Sequence, residues 1–157
     1  MWQDYLPIFF SAMLPLTELR ASIPVGIGLL GLDPIWVLIT SYLGNIVPVV
    51  LILLFLDPVT SWLRKVSQLL DKFFSWLFAH TYRKHSAKVD RWGSLALLLF
   101  VAIPLPITGG WTGALLAYLF GIKLKFALPN ILIGLLIAGL LVTSLTLGSV
   151  WVLGLEF

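Results

Sequence analysis

The sequence predicts an all-α integral membrane protein built as an inverted repeat. Each half is a re-entrant, broken helical hairpin followed by a transmembrane helix, and a basic amphipathic linker helix joins the halves. Three observations lead there. The 157 residues are 60% hydrophobic and only 11% charged, with a mean hydropathy of +1.05, far outside the range of water-soluble domains. The charges leave long uncharged intervals between them. Finally, the two halves repeat one order of short apolar segment, proline- or glycine-containing break, second short segment, turn and long apolar helix. A water-soluble enzyme is excluded by composition, and seven Trp and ten Phe exclude a disordered chain, which is poor in aromatics and rich in charge.

Charged side chains are costly at the bilayer centre, so the intervals between them mark what lipid accepts. The N-terminus, Met1-Trp2-Gln3-Asp4, carries an acid where a cleavable signal peptide has cations, so the first apolar stretch is expected to remain in the mature protein. Asp4 to Glu18 and Arg20 to Asp33 enclose 13 and 12 uncharged residues, each short of the roughly 20 that a helix needs to cross. With Pro15 and Pro24 interrupting helical hydrogen bonding, they form one broken element. Asp33 to Asp57 encloses 23 uncharged residues and Lys125 to Glu156 encloses 30; both predict transmembrane helices. Arg91 to Lys123 encloses 31, which as one straight helix would be about 46 Å long, too long for a core of about 30 Å. Pro104-Leu105-Pro106 and Gly109-Gly110 break it near its middle.

The chain is thus one membrane domain, 1–157, with repeat one at 5–56, the linker at 57–92 and repeat two at 93–155. Seven Lys/Arg stand in the linker, against Asp57, Asp71 and Asp90. Trp62, Val66, Leu69, Phe73 and Leu77, with Leu63, Leu70, Phe74 and Trp76 beside them, follow the three- and four-residue steps of an amphipathic helix in the headgroup plane. Two readings of it are open: a positive-inside loop that fixes topology, or lipid-headgroup binding by Arg83, Lys84, His85 and Lys88.

A shift of 90 residues sets Gly31-Leu32 on Gly121-Ile122, Gly44 on Gly134, and Thr17-Glu18-Leu19-Arg20 on Ile107-Thr108-Gly109-Gly110. If each broken element is re-entrant, each half crosses once and the halves are inverted. The linker is then cytoplasmic, Lys123 and Lys125 lie inside, Asp33 lies outside, and every Lys/Arg except Arg20 is cytoplasmic. Four plain helices would instead place Lys123 and Lys125 in an outside turn, against the positive-inside tendency.

Irregular backbone at membrane depth requires protein or a water-filled cavity around it, so both breaks should meet inside. Thr17 is expected to cap one half-helix, with Glu18 in its first turn, and Thr108 another, followed by Gly109, Gly110 and Trp111. Two converging half-helix N-termini suit a phosphate or carboxylate. Arg20 would anchor the anion and Glu18 would be the proton-coupling group. The candidate substrate- and ion-binding residues are Thr17, Glu18, Arg20, Pro24, Pro104, Pro106, Thr108, Gly109, Gly110, Trp111, Thr112 and Gly113. Blander readings accompany them: a resting Glu18–Arg20 ion pair, and a GxxxG packing face at Gly109 and Gly113. Trp36, Tyr42, Trp111 and Tyr118 would be interfacial anchors or a cation cage. Asn45 and Asn130 would be helix–helix hydrogen-bond glue or cavity lining.

The run Ile103-Pro104-Leu105-Pro106-Ile107-Thr108-Gly109-Gly110-Trp111-Thr112-Gly113-Ala114-Leu115 closely resembles the small multi-drug export protein family. Glu18-Leu19-Arg20-Ala21-Ser22-Ile23-Pro24 matches the same family's Glu-x-Arg-x-x-x-Pro pattern, and the resemblance spans about residues 5 to 150. Gly110 before Trp111 stands where family members often have Ala. The resemblance implies a distant relationship to the DedA/VTT superfamily, with two re-entrant hairpins and ion-driven translocation of lipids or lipid carriers. It places Glu18 and Arg20 where charged hairpin residues matter in that superfamily. The second hairpin departs from DedA proteins in offering Thr108, Gly109 and Gly110 where they typically carry an Arg.

The expected function is transport, in a bacterial or archaeal-type inner (plasma) membrane, of an amphiphilic or anionic small molecule or a lipid headgroup, coupled to protons or another ion. The alternatives are a proton-coupled exporter of lipophilic cations and a non-transporting scaffold docked through the linker. The partners are membrane lipid, the substrate, the coupling ion and a second copy in a homodimer; no nucleic acid is expected. Within the apolar segments no Ser–His, paired-Asp or HExxH constellation is present, so an enzyme is not expected. No cofactor is expected, and with no Cys and only His80 and His85 no metal site either.

Overall fold

A computed structural model describes residues 2–69, 71–72, 75–76, 87–105 and 108–152. All regular elements among them are helical: α1 (Leu6–Met13), α2 (Glu18–Pro24, running on as a π turn over Val25–Leu29), α3 (Pro34–Val66), α4 (Ala87–Ala102), α5 (Gly110–Leu119) and α6 (Leu124–Val152). Two of them, α3 with 33 residues and α6 with 29, are long and apolar enough to cross a membrane. α3 begins sharply because the Asp33 side chain accepts from the N–H groups of Ile35 at 2.9 Å and Trp36 at 3.2 Å, while Pro34 fills the first helical position, where no N–H is needed.

The end of α3 differs from expectation. The helix runs through Asp57 and Pro58 to Val66, so the linker boundary placed at 57 falls inside it. Ser67 then turns extended, with φ −140° and ψ 123°, and Arg64 Nε reaches back to Asp71 Oδ1 at 2.7 Å. Trp62 and Val66 therefore close α3 while Leu69 follows the turn, and residues 62–77 do not form one amphipathic helix. Leu70, Phe73, Phe74, Leu77, His80, Arg83, Lys84 and His85, and the side chains of Lys88 and Arg91, lie outside the described residues.

Each short pair doubles back on itself. Ile8, Gly26 and Val37 meet, since a Cβ on Gly26 would lie 2.7 Å from Val37 Cγ1 and 3.3 Å from Ile8 Cδ1; α1 and the α2 extension thus open toward the start of α3. In the other pair a Cβ on Gly93 would lie 3.6 Å from Ile122 Cδ1, so α4 and α5 open toward the start of α6. Both pairs hand over to their long helix through a left-handed glycine, Gly31 at φ 60° and Gly121 at φ 63°, a conformation that costs a residue without Cβ little. At Gly121 the Schellman bonds are complete, from Ile122 N–H to Ala117 O at 2.8 Å and from Gly121 N–H to Tyr118 O at 3.0 Å.

The long helices run antiparallel. Leu38 lies against Gly139, the Tyr42 hydroxyl donates to Leu132 O at 3.2 Å, and the 53–64 stretch of α3 faces Leu124. Glycines set the close approaches: a Cβ on Gly44 would overlap Phe9 O of α1, and one on Gly134 would stand 2.9 Å from Leu98 O of α4. Across the halves, α2 packs on α6 and α5 on α3. Ile8, Ile23, Val37, Val101, Ile131 and Leu135 are buried between them, while Phe10, Leu43, Phe55, Leu99, Leu140 and Leu145 face outward. An apolar interior under an apolar exterior is the distribution of a protein solvated by lipid.

Candidate functional site

The closed ends of the two hairpins, at residues 14–17 in one and at 103–105 and 108–109 in the other, meet each other. The Trp111 indole N–H donates to Met13 O at 3.0 Å, tying tip to tip. Pro15 has no N–H, so it cannot serve the carbonyl of Ser11, and the Thr17 hydroxyl donates there instead. Thr17 therefore stands at the N-cap position of α2 without making a side-chain cap, contrary to the sequence expectation. Thr108 departs in the same way. Its hydroxyl turns back to Ile103 O at 2.6 Å, taking up a carbonyl exposed by the break, and Gly109 becomes the N-cap of α5. Thr112 supplies the cap hydroxyl, accepting from Gly109 N–H at 2.8 Å.

Glu18 is 6% exposed and holds a left-handed backbone, φ 43°, which costs a non-glycine residue on the order of 1–3 kcal/mol. This conformation sends its carboxylate across to the other half, where it accepts from Trp111 N–H at 3.2 Å in the first turn of α5. The anion-favouring end of the second half-helix is thus occupied by the protein's own acid. Gly109 admits it, since a Cβ there would overlap the carboxylate. The Gly109 backbone is extended, at φ −166°, so the need for glycine is steric.

Arg20 serves the opposite end of the same break. Its Nη1 donates to Leu105 O and its Nη2 to Ile103 O at 3.3 Å, carbonyls just beyond the C-terminus of α4, where partial negative charge collects; its Nε is buried without a partner. The resting ion pair between Glu18 and Arg20 is not formed, because each side chain complements one end of the broken helix in the other half.

Thr17, Glu18, Arg20, Thr108, Gly109 and Thr112 line one cavity of about 370 Å³, with Pro15, Leu16 and Ala21 completing its wall. Other candidates stand apart from it. Pro24 sits at the junction of α2 and its π turn. Gly113 lies against Val101, so of the GxxxG pair only Gly113 serves helix packing. Pro104 flanks the tip and Pro106 lies outside the described residues. Gly110 rests against Asn45, whose Oδ1 would be 2.5 Å from a Cβ at that position.

Asn45 is fully buried with neither amide atom paired, and Asn130 donates to Phe126 O of its own helix at 2.7 Å; neither is interhelical glue. The four aromatics form no cage: Tyr42 bonds Leu132 O, Tyr118 pairs with Thr60, Trp111 joins the tips and Trp36 is exposed. The carbonyls of Met13, Ile103 and Leu105 are functional groups that residue types alone do not point to. The adjacent prolines are the signal for the last two, since a helix broken there leaves its last carbonyls without their helical donors and open to turn N–H groups and side chains.

No curated protein matches the chain, and no solved structure matches it. One family model, "Putative small multi-drug export protein", matches residues 18–141. The match begins at Glu18 and takes in α2, all of α3, the tip of the second hairpin and most of α6, and by it this membrane chain belongs to the small multi-drug export protein family.

Proposed function

We propose that the chain is a proton-coupled membrane transporter for an amphiphilic or anionic small molecule or lipid headgroup, built as an inverted repeat of two re-entrant hairpins whose tips form the transport site. The observation that carries this reading is Glu18 at the N-terminus of α5 inside the cavity. A carboxylate belongs there while charged; once protonated it brings no negative charge to the helix dipole and is the weaker acceptor. A proton arriving on Glu18 would therefore free Trp111 N–H for a substrate anion that takes the carboxylate's place, so that proton and anion bind together, with the Arg20 guanidinium beside them to balance the incoming charge.

The repeat reading is supported by Gly31 and Gly121, and by Gly44 and Gly134, which play equal parts 90 residues apart. Tyr42 and Leu132, themselves 90 apart, bond to each other, as positions near a two-fold axis must. One hairpin opens toward Asp33 and the other toward Lys123, so in a membrane both would be re-entrant from opposite faces, with the linker and Lys123 on the cytoplasmic side of the inner membrane. The distant DedA/VTT relationship implied by the hairpin motifs agrees with lipid-like cargo and with a homodimer around it.

The test is translocation of fluorescent phosphatidylglycerol in proteoliposomes under an imposed pH gradient, read by quenching of the outer leaflet. Wild-type protein should accelerate it, and Glu18→Gln and Arg20→Ala, reconstituted to equal levels, should not. Equal rates in all three would sink the proposal. A second reading, export of lipophilic cations with Glu18 alternating between proton and cargo, is favoured by Glu18 being the carboxylate in the cavity and by the family's name. It predicts tolerance to tetraphenylphosphonium that Glu18→Gln abolishes and Arg20→Ala retains.

A further inference from the structure

A second polar cavity lies away from the hairpin tips. Asp57, Thr60, Ser61 and Arg64 recur at three- and four-residue steps, so α3 presents them on one face. With Tyr118 and the turn at Gly121 they line a space of about 320 Å³ between α3, the end of α5 and the start of α6, walled by Leu53, Ile122 and Leu124. No residue is shared with the tip cavity.

The charges in this space are of both signs. Asp57 has no ion-pair or hydrogen-bond partner for its carboxylate among the described residues, whereas Arg64 gives Nε to Asp71 at 2.7 Å and Nη2 to Ser75 Oγ at 3.0 Å. Neither bond uses Nη1, which leaves one edge of the guanidinium for a further acceptor. Two helical turns separate the residues, about 10 Å along the axis. A lone anion would meet Asp57, and a lone cation would leave the open edge of Arg64 unused, whose charge the half-exposed Asp71 pair offsets only in part; a ligand carrying both charges satisfies both. Asp57 also ends the uncharged interval that begins after Asp33, which sets the cavity at the level where apolar core gives way to headgroups.

We infer that this cavity binds a zwitterionic phospholipid by its headgroup, the ammonium on Asp57, the phosphate on the open edge of Arg64, and the first methylenes of the acyl chains against Leu53, Ile122 and Leu124. The shared chemistry is phosphate plus ammonium, which free phosphoethanolamine also carries. The apolar wall and the position at the membrane boundary favour the lipid. The site does not depend on Glu18 or on transport.

The experiment is native mass spectrometry and thermal unfolding of the purified full chain in detergent, titrated with phosphatidylethanolamine, with phosphatidylglycerol of the same acyl chains, or with phosphoethanolamine. Phosphatidylethanolamine should be retained and should raise the Tm saturably, with phosphatidylglycerol about tenfold weaker, the worth of one charge-assisted contact. Asp57→Asn should lose that preference while unfolding at the wild-type temperature without lipid. Ser61→Phe, which fills the space, should lose retention altogether. Equal retention of the two lipids by wild-type protein, or a preference that survives in Asp57→Asn, overturns the inference. Stabilisation by phosphoethanolamine as strong as by the lipid overturns it in favour of a soluble zwitterion.

Discussion

A methyl group at Gly109 would overlap the Glu18 carboxylate, although the extended backbone there suits any residue. Gly109→Ala is therefore expected to lower stability by about 1–3 kcal/mol, the usual cost of overpacking, and to cost much less in a Glu18→Ala background. A double-mutant cycle on thermal unfolding in detergent reads that coupling. Arg20 reaches two carbonyls with a fork that lysine lacks, so Arg20→Lys should lose roughly 1 kcal/mol despite keeping its charge; denaturant unfolding checks it. Glu18 and Arg20 are legible in the sequence because charge inside an apolar segment is conspicuous. Their partners are not, because the bonds span 83 to 93 residues. Thr17 and Thr108 mislead as caps for a related reason: residue preference registers a hydroxyl near a helix start, but not the carbonyl at the end of the preceding helix that claims it.

Among the helices, Gly44 against α1 and Gly134 against α4 are the glycines pressed on the backbone of a neighbouring helix. Alanine at either is expected to destabilise by about 1–3 kcal/mol, since the neighbour is backbone and cannot move aside cheaply. Gly148, also on α6 but with nothing within 4 Å of where a Cβ would stand, is the control: Gly148→Ala should be neutral or stabilising by up to about 1 kcal/mol through helix propensity. Thermal unfolding of the three variants side by side measures the contrast. The long helices are legible because uncharged intervals beyond about 20 residues have one common solution. The end of α3 is not, because it depends on Ser67 turning extended and on Arg64 folding back to Asp71, a local arrangement that no charge interval reports.

For the molecule as a whole, the antiparallel α3 and α6 put Lys65 and Lys123 at one end and Asp33 at the other. The chain has no native Cys, so single cysteines at these positions can be labelled in intact cells with an impermeant thiol reagent. Positions 65 and 123 are expected to share one side and 33 to react from the opposite one; 33 and 123 labelling together would contradict the hairpins. This architecture is legible only as a choice between two arrangements, because segment lengths and charges leave open whether a broken element returns or crosses. The labelling distinguishes them, and the way the tips fit has a separate consequence for assembly. The termini of the second break are held by Glu18 and Arg20 of the first half, so the second half does not itself contain the groups that complete it. A chain severed between α3 and α4 should therefore recover as a stable pair when both fragments are co-expressed, while the second fragment alone is degraded. The hairpin tips would then serve as a molecular docking code, by which two separately inserted pieces find each other within the bilayer without a covalent tether.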